Sequence, residues 1–303
     1  MGCDMRAEEV KRLARDCGFD LVGVARAEPV SEAAYYREWV RAGMAAEMSY
    51  LTGHRAGLRN DPRNLLPSAR SILCVGKLYN GPRGPISRYA CGPDYHGVMG
   101  KALRRLVARL KERAGPFEWR VAVDTAPLLE RAYARHAGLG WIGKNTSLIH
   151  QGLGSLFFLG ELLLSLEMEP DAPPPGRCGT CTRCIDACPT GALVPTGQAR
   201  PAWALDSRRC ISYLTIELRG PIPERFHSAL GNHVFGCDIC QDVCPWNRKT
   251  PPASGPAPTL EQLAALTERE FHEMFQGTAV LRAGYQGFHR NVALALFNTR
   301  ALQ

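Results

Sequence analysis

Apolar residues recur at helical spacing through Val10, Leu13, Ala14 and Cys17, so a helix is expected over Ala7–Cys17, with Gly18 placed to end it. A short buried strand follows from Phe19 to Ala25. Ser31 is placed to cap a helix running to Arg41, with Gly43 behind it. The apolar run Ser71–Val75 predicts a second strand, and a Gly/Pro-rich loop extends from Asn80 to Pro93. From His96 to Arg113, Val98, Leu103, Leu106, Val107 and Leu110 share one face of a long amphipathic helix. Trp119–Val123 predicts a third strand that delivers Asp124 to its C-terminal edge. Pro127 suits the first turn of a helix running to Ala137. A fourth strand-like run spans Ser155–Ser165.

Beyond that run the pattern changes. Asp171-Ala-Pro-Pro-Pro-Gly176 is stiff and polar, and a second Pro-rich stretch occupies Pro251–Pro258. These linkers predict units at 1–170, 171–250 and 251–303, the last a small helical tail from Leu260. At 303 residues and 45% hydrophobic, the chain can bury cores of that extent. Residues 1–20 alternate charge with apolar side chains and contain no signal-peptide core. The longest apolar stretch, Leu156–Leu166, is broken by Glu161 and is too short for a bilayer. A soluble, cytoplasmic protein with no membrane partner is expected.

Twelve cysteines sharpen the picture. In a reducing compartment they favour metal binding or redox chemistry over disulfides. Cys3, Cys17, Cys74 and Cys91 are scattered through the first third, while eight crowd between Cys178 and Cys244. The first run is Cys178-x-x-Cys181-x-x-Cys184-x-x-x-Cys188-Pro189. The second is Cys237-x-x-Cys240-x-x-x-Cys244-Pro245, and Cys210 stands alone between them. The first spacing is that of bacterial ferredoxins, in which three cysteines hold one [4Fe–4S] cubane and the fourth reaches across to another. The proline after the fourth cysteine turns the chain away from a helix. By that rule Cys178, Cys181, Cys184 and Cys244 hold one cluster, and Cys188, Cys210, Cys237 and Cys240 the other. Cys-x-x-Cys pairs also make zinc sites, but the third cysteine at the next interval and the two Cys-Pro endings disfavour zinc. Two such clusters move single electrons and perform no substrate chemistry, so the reaction belongs to the first unit. The formal net charge of +8 hints at a polyanionic partner. Two oxidised clusters at about −2 each weaken that signal.

Three further features carry candidate chemistry. Gly138-Leu-Gly140-Trp-Ile-Gly143 matches a dinucleotide fingerprint, yet a predicted helix precedes it where a strand is required. The glycines are expected to end that helix and let the backbone approach a cofactor. Asp94-Tyr95-His96-Gly97-Val98-Met99-Gly100 falls one place short of a cobalamin-ligating Asp-x-His-x-x-Gly motif, so His96 is better read as a helix-start histidine with local hydrogen bonds. Asp124 is either the N-cap of the helix behind it or an acid projecting into a site. Both roles demand a carboxylate, so spacing does not separate them.

The chain resembles the epoxyqueuosine reductase family of tRNA queuosine synthesis. The resemblance rests on Tyr89-Ala-Cys-Gly-Pro-Asp-Tyr-His96, Val123-Asp-Thr-Ala-Pro-Leu-Leu-Glu-Arg131 and Gly138-Leu-Gly-Trp-Ile-Gly-Lys-Asn145. The ferredoxin run, Arg209-Cys-Ile-Ser-Tyr-Leu-Thr-Ile-Glu217 and Phe235-Gly-Cys-Asp-Ile-Cys-Gln-Asp-Val-Cys-Pro-Trp-Asn247 extend it. It implies an α+β protein: a nitroreductase-like domain binding base-off cob(II)alamin and related to that of reductive dehalogenases, then a ferredoxin-like domain with two [4Fe–4S] clusters. A HEAT-like helical repeat would follow, of which Gly287–Asn298 looks like a truncated start. It implies a queuosine-family tRNA as substrate, an external electron donor, and reduction of epoxyqueuosine to queuosine at the wobble position. By the same resemblance Asp124 is the proton donor. Cys91, Tyr95, His96, Trp141, Lys144 and Asn145 would shape the cofactor and substrate pocket, and Ser212 and Tyr213 would bridge the clusters and the corrin. A carboxylic acid that donates at neutral pH needs a raised pKa, which burial against the corrin would give. Two other classes stay open: a corrinoid iron–sulfur reductase with another substrate, such as a reductive dehalogenase, and an electron-transfer module with no substrate of its own.

Overall fold

The computed structural model describes residues 6–198, 201–250 and 255–301. Cys3, the first four residues of the second Pro-rich stretch (251–254) and the last two residues of the tail lie outside them. In chain order come α1 (Ala7–Asp16), β1 (Leu21–Arg26), α2 (Glu32–Arg41), α3 (His54–Leu58), β2 (Ser71–Leu78), α4 (Tyr95–Ala114), β3 (Trp119–Ala122) and α5 (Glu130–His136). A small hairpin of β4 (Trp141–Ile142) and β5 (Leu148–Ile149) leads to β6 (Phe157–Leu164). The cysteine segment contributes α6 (Arg183–Asp186), β7 (Leu193–Pro195), β8 (Trp203–Leu205), α7 (Ile211–Ile216) and α8 (Ile239–Asp242). The tail holds α9 (Leu260–Ala264), α10 (Glu268–Met274) and α11 (Gly284–Ala301).

The main sheet has the order β1-β2-β6-β3, with every pair antiparallel. Both faces are covered, which is why β2 reads as a continuous apolar run rather than an alternation. Leu73 and Val75 pack with Val10, Leu13, Leu103 and Leu106 of α1 and α4. Ile72 and Cys74, one step away on the opposite face, pack with Tyr133 and Ala134 of α5. This mixed helix-and-sheet arrangement agrees with the expected α+β class. Gly18 (φ 92°) ends α1 as expected. Asp94 caps α4 by accepting from the His96 amide.

One boundary differs from expectation in a way that matters. The helix after Asp124 begins at Glu130, not at Pro127, and its N-cap position is Leu129. Residues 124–129 fold into tight turns instead, with the Thr125 amide donating to Val123 O and the Leu128 amide to Ala126 O. Asp124 itself lies in the left-handed region at φ 51°. The capping reading of Asp124 is therefore overturned.

The cysteine segment is fastened to the sheet unit through buried polar contacts. Asn247 Oδ1 accepts from the Ser155 amide (2.6 Å), while its Nδ2 donates to Ser155 Oγ (3.0 Å) and Gln241 O (2.7 Å). Asp238 accepts from the Ser87 hydroxyl and from the Arg88 amide. The tail has its own apolar cluster of Phe271, Phe275, Phe288 and Val292, which extends onto Ile86, Ala90, Val234 and Phe235. It closes over the loop that leads into α4, where the Asp94 amide donates to Gly277 O (2.7 Å).

Candidate active site

Asp124 meets His96 across the gap between the β3 edge and the first turn of α4. Asp124 Oδ2 lies 3.2 Å from His96 Nε2, and Asp94 Oδ1 lies 2.7 Å from His96 Nδ1. Hydrogen bonding to Asp124 is the main force raising His96 to about 9, against a burial penalty, and Asp94 adds to it. Burial pushes the Asp124 carboxyl upward. The hydrogen bond and charge of His96 outweigh that push, and Tyr95 and Arg282 assist, so Asp124 is held below the usual carboxylate range. The pair is an imidazolium–carboxylate pair at neutral pH, and the expected raised pKa of Asp124 is not what these neighbours produce. With both ring nitrogens engaged, His96 offers no lone pair to a metal.

Aromatic and cationic side chains close around this pair. Tyr95 stacks between His96 (centroids 4.2 Å apart) and Phe158 (4.6 Å). Burial and the charge of Asp124 raise the Tyr95 and Tyr89 hydroxyls well above normal, so both stay protonated donors. Arg282 reaches in from the tail, donating from Nε to Glu217 Oε1 (2.6 Å) and lying 5.1 Å from the Tyr50 ring centroid. Beneath the loop, Glu130 Oε1 accepts from the Asp124 amide. Sequence reasoning missed Arg282, Tyr50, Glu217 and Glu130; only proximity in the fold brings them together, although Glu130 and Glu217 lie inside motifs that carry the family resemblance. A Cβ at Gly92 or Gly97 would meet nothing within 4 Å, so the backbone beside Tyr95 and His96 is left uncovered by the protein's own side chains.

The cluster-segment thiols fall into two neighbourhoods. Burial raises Cys184 to about 11, and Cys178, Cys244 and Cys181 add to it. Cys244 is raised by burial and then by Cys178 and Cys181. Cys237 is pushed up to about 12 by burial, with Cys210 and Cys188 among its neighbours. Cys240 is raised by burial and by Cys210, Cys237, Cys184 and Cys188. Cys184 on Cys240 thus crosses between the groups. Buried thiols that oppose one another's ionisation become thiolates only with cations among them. Among the described residues, no three His, Cys, Asp or Glu side chains converge tightly enough for a single metal ion. The buried Trp141 indole N–H, packed with Cys178 and Cys244, has no acceptor among protein atoms, and a cluster sulfur would satisfy it.

Other candidates lie elsewhere in the site. Lys144 Nζ donates to Gly179 O (2.8 Å) and Cys181 O (3.0 Å), and Asn145 Nδ2 to Cys240 O (3.3 Å), so both brace the cysteine loops. The Ser212 and Tyr213 amides and the Ser212 hydroxyl favour the Cys210 thiolate, although burial dominates and raises it. Tyr213 points into the apolar cluster with Leu214 and Ile222, its hydroxyl accepting from the Glu47 amide (3.4 Å). Cys91 is exposed, with its Sγ beside the Ile86 and Ser87 carbonyl oxygens (3.8 and 3.6 Å). Gly138 (φ 79°) ends α5 as expected. Gly140 and Gly143, however, make room for the protein's own Ile149, because a Cβ would fall 2.2 Å and 2.5 Å from its atoms.

Comparison with known proteins agrees with this geometry. A family model described as a 4Fe-4S double cluster binding domain matches residues 177–247, and one described as epoxyqueuosine reductase QueG, DUF1730 matches residues 59–125. The chain is 41% identical over 314 residues to the epoxyqueuosine reductase of Xanthomonas campestris pv. campestris, covering 96% of this chain and 86% of that protein. The structure of epoxyqueuosine reductase from Streptococcus thermophilus superposes with a TM-score of 0.88 at 31% identity, covering 97% of this chain and 82% of that one. A crystal structure of epoxyqueuosine reductase with an epoxyqueuosine-modified tRNA-Tyr stem loop gives 0.86 at 33% identity, covering 96% and 80%. The catabolic reductive dehalogenase NpRdhA, at 18% identity and a TM-score of 0.50, covering 98% and 36%, shares the fold alone. Among the described residues, no helix is long and apolar enough to cross a membrane.

Proposed function

The chain belongs to the epoxyqueuosine reductase family, and we propose that it reduces epoxyqueuosine to queuosine at the wobble position of a tRNA anticodon loop. Two electrons and two protons convert the epoxide to an alkene and release its oxygen as water. Cobalamin, when bound, supplies the electron transfer to the epoxide carbon, fed one electron at a time by two [4Fe–4S] clusters. Its resting form is taken as cob(II)alamin, reduced through an external donor.

The chain's own residues supply position and protons. Cys178, Cys181, Cys184 and Cys244 hold one cluster, and Cys188, Cys210, Cys237 and Cys240 the other. Lys144 and Asn145 fix the loops carrying these ligands, and Ser212 steadies Cys210. Cys91, Tyr95 and Trp141 border the cofactors. Asp124 and His96 hold one proton between them, and Asp124 passes it to the departing oxygen, so no naked alkoxide has to form. Residues 1–170 carry the cobalamin and the reaction, 171–250 the clusters, and 251–303 a helical tail with the character of a shortened HEAT-like repeat. The setting is the cytoplasm, where tRNA is found.

The observation that carries this reading is the continuity between the thiols and the acid. Asp238, next to Cys237, binds the Ser87 hydroxyl and the Arg88 amide, one residue from Tyr89, whose hydroxyl feels the charge of Asp124. The test is turnover of epoxyqueuosine-containing tRNA by anaerobically reconstituted protein with cobalamin and a reductant. The expected product nucleoside is lighter by one oxygen. Protein loaded with both cofactors that leaves the epoxide intact would sink the proposal.

A further inference from the structure

Glu161 is a carboxyl in the middle of the main sheet, on β6, where it pairs with Cys74 on one side and Ala122 on the other. It is 0% exposed, and neither of its oxygens has a donor among the surrounding protein atoms. A carboxylate so placed would be buried without a counter-charge, at prohibitive cost. The group beside it is Glu130, at the start of α5, another acid. Glu161 is fully buried and Glu130 partly so; two adjoining carboxyls with one of them cut off from water do not both ionise, and the stable arrangement has one proton between them. Burial followed by the charge of the neighbouring acid raises Glu161, and burial followed by the charge of Asp124 raises Glu130. The other charged or titratable groups acting here are Arg131 on α5, which favours the ionised form of Glu130, and Cys74 on β2, whose thiol burial and Glu161 keep protonated.

The second carboxylate oxygen edge of this pair is put to use. Glu130 Oε1 accepts from the backbone amide of Asp124, the residue held at φ 51°. A non-glycine residue rarely adopts that conformation, and it persists only where the surroundings impose it. Arg55 Nη2 holds the adjoining Thr125 carbonyl from outside (2.5 Å), but the Asp124 amide itself is held by Glu130.

We propose that Glu161 and Glu130 form a one-proton carboxyl pair in which protonated Glu161 donates to Glu130, and Glu130 in turn holds the Asp124 amide and aims its carboxylate at His96. Both are positioning residues for the acid, and the idea rests on the reading of Asp124 as the proton donor. Neither transfers a proton to substrate, so the pair needs hydrogen-bonding atoms in the right places rather than acidity.

That distinction sets the experiment. Glu130→Gln keeps an acceptor for the amide and a donor for Glu161, and Glu161→Gln keeps a donor for Glu130, so both should retain kcat within about threefold. Glu130→Ala should lower kcat about tenfold or more with KM for tRNA unchanged, and Glu161→Leu, which fills the site without a donor, should do likewise. In parallel, hydrogen exchange at the Asp124 amide, read on the protein without substrate, should be slow in the wild type and both Gln variants and at least tenfold faster in Glu130→Ala. The proposal fails if Glu130→Gln is as inactive as Glu130→Ala, which would mark a chemical role for the acid. It fails equally if Glu130→Ala leaves exchange at Asp124 unchanged. Faster exchange in Glu130→Ala with unaltered turnover would also overturn the proposal, because the amide anchor would then play no part in aiming the acid.

Discussion

Asp124 and His96, 28 positions apart in the chain, meet through Oδ2 and Nε2 at 3.2 Å and carry one proton between them. Because Asp124 caps no helix, a change there reports on this pair and not on α5.

Asp124→Asn is the substitution of choice, since Asn tolerates the left-handed conformation at φ 51° better than most residues. Asn cannot donate as a carboxylic acid, so turnover should fall on the order of a hundredfold or more. Iron and cobalamin content should stay close to wild type, and the melting temperature should fall by no more than wild type loses between pH 6.5 and 9, because only the ion pair with His96 is removed. Near-normal turnover by a stable, fully loaded variant would exclude Asp124 as the donor.

The pair also sets a pH window. His96 is raised from its usual value to about 9, so its contribution to stability is fully present below about pH 6.5 and is lost as pH rises through about 9. Asp124 is lowered, so its contribution is present above its ordinary range and disappears only in acid. The melting temperature of wild type should therefore drop more between pH 6.5 and 9 than that of His96→Gln. Parallel melting curves across this range would contradict a shared proton. Turnover should likewise decline as pH passes about 9.

Cluster ligation is tested by iron and by spectroscopy. Reconstituted protein should bind about eight irons, as two cubanes require. Cys244→Ala and Cys184→Ala should perturb one paramagnetic signal, and Cys210→Ala and Cys237→Ala the other. A common signal lost by Cys244→Ala and Cys237→Ala would break the crossed assignment.

Asn247 joins the two units at a buried contact with Ser155. Asn247→Ala leaves the Ser155 amide without its acceptor, at a cost of about 1–3 kcal/mol. Gly154→Ala strikes the same junction from the other side, because a Cβ there would lie 2.1 Å from Asn247 Oδ1. Both variants should melt earlier and lose iron faster on dilution. Unchanged melting in both would show that the junction adds nothing to stability.

Binding to tRNA should weaken steeply with salt, because lysine and arginine contacts to phosphate release counterions. Unmodified tRNA should still bind, less tightly than substrate. Equal affinity at 50 and 500 mM salt, measured by filter binding, would argue against a phosphate-tracking surface.

Much of this architecture is written locally in the chain. The strands β1, β2, β3 and β6 and the helices α1 and α4 follow from apolar period and end signals, because both faces of the sheet are buried. The cysteine spacing carries the cluster chemistry in the same local way. What spacing does not carry is the turn after Asp124. Pro127 looks like a helix opener, yet the chain first makes two tight turns that only Glu130 and Arg55 explain. Glu161 appeared merely as a break in an apolar run, since nothing nearby in sequence reveals that Glu130 faces it. The His96–Asp124 contact is hidden for the same reason: it joins the start of one helix to the end of a strand that comes later.

The interleaving of the eight cluster-segment thiols also fixes an order of events during synthesis. A chain completed as far as Val243 contains Cys178, Cys181 and Cys184 but not Cys244, the neighbour that fills out their group, while Cys188, Cys210, Cys237 and Cys240 are already in hand. The earliest of these eight cysteines to leave the ribosome thus belong to the group that is finished last, and both groups become complete within four residues of each other. Under the crossed ligation proposed above, neither group of four can close around a cluster until translation has passed Cys240.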